Sequence, residues 1–405
     1  MSLPAMRRLW LLSLLVLGLA GCGNIARLDP PPLAATETLP ILGLSNARFW
    51  LDGDPAPLVR EWRLAQDRQV AALPRAARGR LPPANMLALS GGGDNGAFGA
   101  GLMVGWTASG RRPSFDLVTG VSAGALIAPF AFLGPDYDAP LREVFTDVAP
   151  GDVLIFGNRI RAVLFGEALA DTSPLYRLIE RHVNEAMMAA IAREYGRGRL
   201  LLIGTTNLDL GRPVFWNIGA IAASGRPEAL DLMRRILLAS ASIPGAFPPV
   251  LFDVEAGGRR YQEMHVDGGA ALQLFLYPPG IDLRAQDGPR ARERTAWVVR
   301  NGRLDTEWST TNRSILSITG RAASTLLHFS AVNDIVRVYL TAQRDGVRFR
   351  LAYIGPNFTA TREQPFETAY MRALFAYGEA QGRSGNGWIE SLRPLGSIDL
   401  SASRP

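Results

Sequence analysis

The 405-residue chain contains no lysine, so all 43 of its basic residues are arginine. Serine–lysine dyads, Schiff-base chemistry and a lysine-based phosphate loop are thereby excluded. Cysteine occurs once, at Cys22, and no disulfide can close within the chain. The three histidines, His182, His265 and His328, form no short-spaced pair, so neither a metal site nor any other cofactor is expected. Dense basic runs interleaved with aromatics are missing, which removes nucleic acid as a partner. The longest N-terminal apolar segment, Leu9 to Leu19, falls short of the roughly 20 residues a helix needs to span a bilayer.

Glycine, by contrast, is abundant at 42 residues. Met86-Leu87-Ala88-Leu89 runs into Ser90-Gly91-Gly92-Gly93-Asp94-Asn95-Gly96, and Phe115-Asp116-Leu117-Val118-Thr119 runs into Gly120-Val121-Ser122-Ala123-Gly124. A small-residue helical stretch follows each, so the two read as adjacent strand–turn–helix units. In the second, Gly120, Ala123 and Gly124 allow the sharp turn that lifts a serine hydroxyl above a sheet, making Ser122 the candidate nucleophile. Ser122 also begins the apolar stretch Ala123 to Phe132, a helix N-terminus where unpaired N–H groups and the dipole favour developing negative charge. Bare backbone at Gly91, Gly92 and Gly93 supplies candidate oxyanion donors, with Gly96 supporting the turn; removing one such donor typically costs about 3 kcal/mol of transition-state stabilisation. A third turn, Val266-Asp267-Gly268-Gly269, ends an apolar run on a carboxylate suited to accept the Ser122 proton.

Two rival chemistries fit less well. Gly91-x-Gly93-x-x-Gly96 also spells a dinucleotide fingerprint with Asp116 downstream as its ribose-binding acid. That acid belongs at the end of the second strand, whereas Asp116 opens the strand. His265, two residues before Asp267, is an alternative base for Ser122. An α/β-hydrolase, however, places its histidine after its acid, and only His328, in a helical pattern, follows Asp267.

In type and order the three turns resemble the patatin-like phospholipase family, which combines a glycine-rich oxyanion loop, a G-x-S-x-G elbow and a D-G-[GA] aspartate. Gly204 to Pro213, Ala239 to Pro249 and the helical pattern Tyr370 to Gly378 are similar to further family blocks. The resemblance covers about residues 85 to 275 directly. It implies a three-layer α/β/α sandwich with a mainly parallel central sheet. It also implies hydrolysis of lipid acyl esters, of phospholipase A or esterase type, through a Ser122–Asp267 dyad and an acyl-enzyme. Family members usually carry Arg or Lys just before the glycine at position 96, where this chain has Asp94-Asn95. An Asp94 near the head group would repel anionic phosphate and favour neutral esters or lysolipids. The same departure motivates the alternative of a non-catalytic lipid-binding envelope lipoprotein of this fold.

Arg7-Arg8, the apolar Leu9 to Leu19 and Leu19-Ala20-Gly21-Cys22 resemble a bacterial lipoprotein signal. The resemblance implies cleavage after residue 21, lipid modification of Cys22 and anchoring in the cell envelope, at the outer membrane of a Gram-negative host given Gly23. Cleavage would remove two arginines from a chain of formal charge +6. The expected organisation is a signal peptide at 1–21, a lipidated, proline-bearing tether at 22–84, one hydrolase domain at 85–392 and a loose tail at 393–405. Arg75, Arg78 and Arg80 form a mildly basic patch near the tether's end, and 280–294 reads as a surface loop.

Overall fold

The computed structural model describes residues 27–74, 81–153, 155–156, 168, 170–287, 291–305 and 310–392. Cys22 and its signal-like segment, Arg75, Arg78, Arg80 and the tail 393–405 lie outside the described residues.

The strands are β1 (Arg48–Trp50), β2 (Ala84–Leu89), β3 (Leu117–Val121), β4 (Ile155–Phe156), β5 (Ala170–Asp171), β6 (Leu200–Asn207), β7 (Arg212–Asn217), β8 (Val250–Ala256), β9 (Arg259–Asp267), β10 (Arg294–Arg300) and β11 (Arg348–Tyr353). The main sheet is ordered β1-β7-β6-β3-β2-β10-β11, with β9 also pairing with β6 and β8 with β9, while β4 and β5 pair apart. From β6 through β3, β2 and β10 to β11 all neighbours are parallel. Strands β7, β1, β9 and β8 join antiparallel.

The parallel centre follows from strands that are apolar on both sides. On β2, Leu87 and Leu89 enter one core and Met86 and Ala88 the other; β6 likewise divides Leu201 and Ile203 from Leu200 and Leu202. Such strands need helices on both faces. The helices that supply them and frame the site are α1 (Ala56–Ala72), α2 (Gly96–Ala108), α3 (Ala123–Leu133), α4 (Ala229–Ser240), α5 (Ile315–Asp345) and α6 (Thr368–Ser384). Helices α2, α3, α4 and α6 bury residues such as Phe98, Ile127, Ile236 and Phe375 in the first core. Leu58 of α1 and Ile335, Val338 and Ala342 of α5 bury into the second.

Residues 27–74, expected to be part of a partly extended tether at 22–84, fold onto the domain instead. Strand β1 pairs with β7, and Phe49, Leu58 and Ala65 join the second core. The prolines mislead because Pro55 sits at the cap of α1 rather than in an extended run. The loop expected at 280–294 similarly holds a short helix, Leu283–Asp287, anchored by buried Ile281 and Leu283.

Helices α2 and α6 meet backbone to backbone. A Cβ added at Gly101 or Gly105 would fall 2.0 Å from the carbonyl oxygen of Phe375 or Glu379. One added at Gly378 or Gly382 would fall 2.2 or 2.3 Å from that of Phe98 or Leu102. Because carbonyls cannot step aside as side chains do, Gly101→Ala and Gly378→Ala should each destabilise the protein by roughly 1–3 kcal/mol in urea unfolding. Gly320→Ala, on α5 with open space around it, should be neutral or slightly stabilising. Equal effects at all three positions would contradict close packing as the cause.

Candidate active site

Strand β6 changes neighbours partway along its length. Gly204 pairs with Val121, the last residue of β3, and the next residue, Thr205, pairs with Asp267, the last residue of β9. Two strands thus end beside each other on one edge of β6, which brings Ser122 and Asp267 together.

Ser122 adopts φ 54° and ψ −125° between β3 and α3, a conformation that costs a non-glycine residue of order 1–3 kcal/mol. Its N–H donates to the Ser240 hydroxyl oxygen at 3.0 Å, and that hydroxyl donates to the Gly204 carbonyl at 2.6 Å. The turn needs glycine on both sides, since a Cβ at Gly120 would lie 2.5 Å from the Gly124 oxygen and one at Gly124 2.3 Å from the Leu89 oxygen. The Ser122 carbonyl then accepts the N–H groups of Ala125 and Leu126, opening α3.

Asp267 is 4 % exposed. Its N–H donates to the Ser242 carbonyl at 2.9 Å, and its Oδ1 accepts the Gly269 N–H at 2.7 Å. Burial pushes its carboxyl up to about 7, against the opposing pull of hydrogen bonds from the Ser122 side chain and the Gly269 N–H. A carboxylate so poised exchanges a proton at neutral pH. Gly268 permits the contact, because a Cβ there would lie 2.6 Å from the Gly204 oxygen.

The glycine loop divides its work differently from the expectation of three oxyanion donors. The Gly91 N–H is committed to the Gln273 carbonyl at 3.0 Å, so Gly91 is not an open donor. Its part is close approach, since an added Cβ would lie 3.2 Å from Ser122 Cβ. Among the described residues, no acceptor engages the N–H groups of Gly92, Gly93 or Ala123, and Gly93 borders the same pocket as Ser122. That pocket, partly open to solvent, lies between Leu126, Phe145, Leu175, Phe247, Phe366 and Met371.

Asp94 does not present a bare charge to a ligand. It is 4 % exposed and ion-paired with Arg362, and it accepts the Phe366 N–H at 3.0 Å. Asn95 accepts the Tyr370 hydroxyl at 2.7 Å. The repulsion expected of Asp94 is therefore compensated by an arginine from a distant segment.

The rival residues have structural partners. His265 is fully buried, with Nδ1 at 2.9 Å from Thr205 Oγ1 and Nε2 at 3.2 Å from Glu263, which pairs with Arg48. Burial lowers its pKa, against the pull of Glu263. Asp116, at the foot of β3, accepts the N–H of Asn85 at 2.8 Å and Gln69 Nε2 at 3.2 Å. His328 is half-buried on α5, in the segment that reads as helical.

The sequence reading missed Asn301, which follows β10. Its N–H and Nδ2 donate to Ser90 Oγ (2.8 Å) and the Ser90 carbonyl (2.7 Å), and its Oδ1 accepts the Gly99 N–H (3.1 Å). It clamps the glycine loop to α2. Ser240 and Gln273, equally unforeseen, position Ser122 and Gly91. The only signal for Asn301 is a polar residue just past an apolar strand, at the same sheet end as Ser90 and Ser122.

An α/β sandwich with a parallel centre, a strained serine elbow and a glycine loop at the carboxyl ends of adjacent strands defines the class. Residues 87–276 match the family model of the patatin-like phospholipases, and the chain carries a patatin-like phospholipase domain with the patatin fold. The family is one of lipid acyl hydrolases, and its substrates are lipid esters. Among solved structures the chain is similar to VipD from Legionella pneumophila, at 13% identity and a TM-score of 0.36, with 79% of this chain and 71% of that chain covered. At that score the likeness adds no weight to the family match. No curated protein matches the chain.

The raised Asp267 pKa has a consequence for stability. With a folded value of about 7 against about 3.9 unfolded, the group's contribution is fully present below about pH 4 and lost as pH rises to about 7. Asp267→Asn stays neutral throughout. The variant should match the parent near pH 4 and exceed its stability by up to about 4 kcal/mol above pH 7. Thermal unfolding at pH 4, 6 and 8 checks this, and a difference that does not grow with pH would refute a buried, ionising Asp267.

Proposed function

We propose that the chain hydrolyses carboxylic esters of lipids by a Ser122–Asp267 dyad. The observation that carries this reading is the meeting of buried Ser122 and Asp267 at two strand ends on one edge of β6, with burial pushing the Asp267 carboxyl up to about 7, beside an apolar pocket suited to an acyl chain. Asp267 takes the hydroxyl proton as Ser122 Oγ bonds to the ester carbonyl carbon. The N–H groups of Gly92, Gly93 and Ala123, the last at the N-terminus of α3, hold the oxyanion. Collapse expels the alcohol, which takes the proton from Asp267 and leaves an acyl-enzyme. Water, deprotonated by Asp267, then releases the fatty acid and restores Ser122. The compensated Asp94–Arg362 pair gives the loop no net charge with which to reject an anionic head group.

The signal-like segment ending at Cys22 supports export, lipidation and attachment to a bacterial envelope, at the outer membrane in a Gram-negative host. Several acyl chains, each contributing about 0.8 kcal/mol per buried methylene, would make that attachment stable.

Release of p-nitrophenol from short and medium acyl esters tests the dyad. Ser122→Ala and Asp267→Asn should each lower kcat/KM on the order of 10⁴-fold. The parent's kcat/KM should rise with pH and level off above an apparent pKa of about 7, because the base acts only when ionised. Turnover surviving in Ser122→Ala would eliminate the serine mechanism. An inactive parent that still binds lipid vesicles would favour a binding module.

A further inference from the structure

Helix α5 outruns the domain it belongs to. Its second half packs on the sheet through Ala331, Ile335, Val338 and Ala342. Asp334 accepts the N–H groups of Gln273 at 2.6 Å and Leu274 at 3.2 Å, beside the glycine loop. Because α5 connects the parallel strands β10 and β11, it runs against them, and its N-terminus lies at the strand ends that carry Ser122. From Asp334 back to Ile315 the helix extends about 28 Å.

That extension is apolar on its outer side. Ile315 is 87% exposed, Ile318 54%, Leu326 72% and Phe329 52%. At 100° per residue these four and Ala322 fall within an arc of about 80°, roughly opposite the core-facing residues of the second half. The opposite face carries Ser317 and Ser324, together with Leu327, which is 41% exposed. From Thr310 to Asn333 there is no acidic residue, and the basic ones are Arg313 and Arg321. No helix among the described residues is long and apolar enough to cross a membrane.

We propose that Ile315 to Phe329 is a docking arm that lies in the interface of a phospholipid bilayer, with Ile315, Ile318, Leu326 and Phe329 among the acyl chains. The choice of occupant rests on the proposed lipid hydrolysis and on charge. An arm with arginines and no acid complements lipid phosphates, whereas a second copy would oppose like charge to like. Standing at the strand ends, the arm presents the Ser122 pocket to the surface in which its substrate dissolves.

The test uses the full-length chain with Cys22→Ser and an environment-sensitive nitrobenzoxadiazole probe on Leu326→Cys, or on Ser324→Cys as the polar-face control. Vesicles of phosphatidylcholine with phosphatidylglycerol should blue-shift the probe at 326 and not at 324, with or without Ser122→Ala. Leu326→Glu combined with Phe329→Glu should lower turnover of vesicle substrate on the order of 10²-fold and leave soluble p-nitrophenyl ester turnover unchanged. A probe at 326 that stays unshifted while the chain sediments with vesicles would overturn the proposal. So would a shift without vesicles that grows with protein concentration, which would assign the stripe to a second copy. If the parent hydrolyses no soluble ester yet the shift at 326 remains, the hydrolase reading fails and the docking arm stands.

Discussion

Along β6 the sheet hands one edge from a parallel neighbour to an antiparallel one, between Gly204 and Thr205. Ser122 and Asp267 leave their strands at that junction, so their mutual position is set by backbone register. The side chains around the junction serve it. Thr205 Oγ1 accepts from Trp216 Nε1 at 2.8 Å and touches His265, and Ser240 spans from the Gly204 carbonyl to the Ser122 N–H. His265, tempting as a catalytic base from its place in the chain, is part of the clamp that fixes the end of β9.

Two costs are concentrated here: a left-handed serine and a carboxyl denied solvent. A net hydrogen bond contributes about 1 kcal/mol, the same order as the strain at Ser122, so the Ser240 relay alone cannot hold the elbow with margin. The close approaches at Gly120, Gly124 and Gly268 complete the restraint by leaving the backbone nowhere to relax. Among the described residues no cation pairs with Asp267, so burial dominates its behaviour.

The central strands were legible because β2, β3, β6 and β10 contain short apolar runs such as Met86 to Leu89 and Leu200 to Ile203, and the serine and aspartate turns because their tight paths demand glycine. What escaped the sequence depends on distant partners or on which atom is already engaged. Gly91 looks like its neighbours, yet its N–H is taken by Gln273. Asp94 looks like an open charge, yet Arg362 lies 268 residues away in the chain. Asn301 has no local pattern, since its meaning comes from facing Ser90 and Gly99. Residues 27–74 escape the sequence because their prolines spell an open run, while Phe49 and Leu58 are buried against partners distant in the chain.

The seam between α2 and α6 also sets an order of events. Helix α2 grows from the glycine loop, but its backing, with Arg362, Phe366 and Tyr370 on the way to it, comes from the C-terminal end of the described chain. A chain that has emerged only as far as Arg300 contains both strand ends of the site and leaves Gly101 and Gly105 facing solvent. The loop beside Ser122 is therefore finished by a segment synthesised well after its own strands, and a product terminated before Arg362 lacks the piece that seats it.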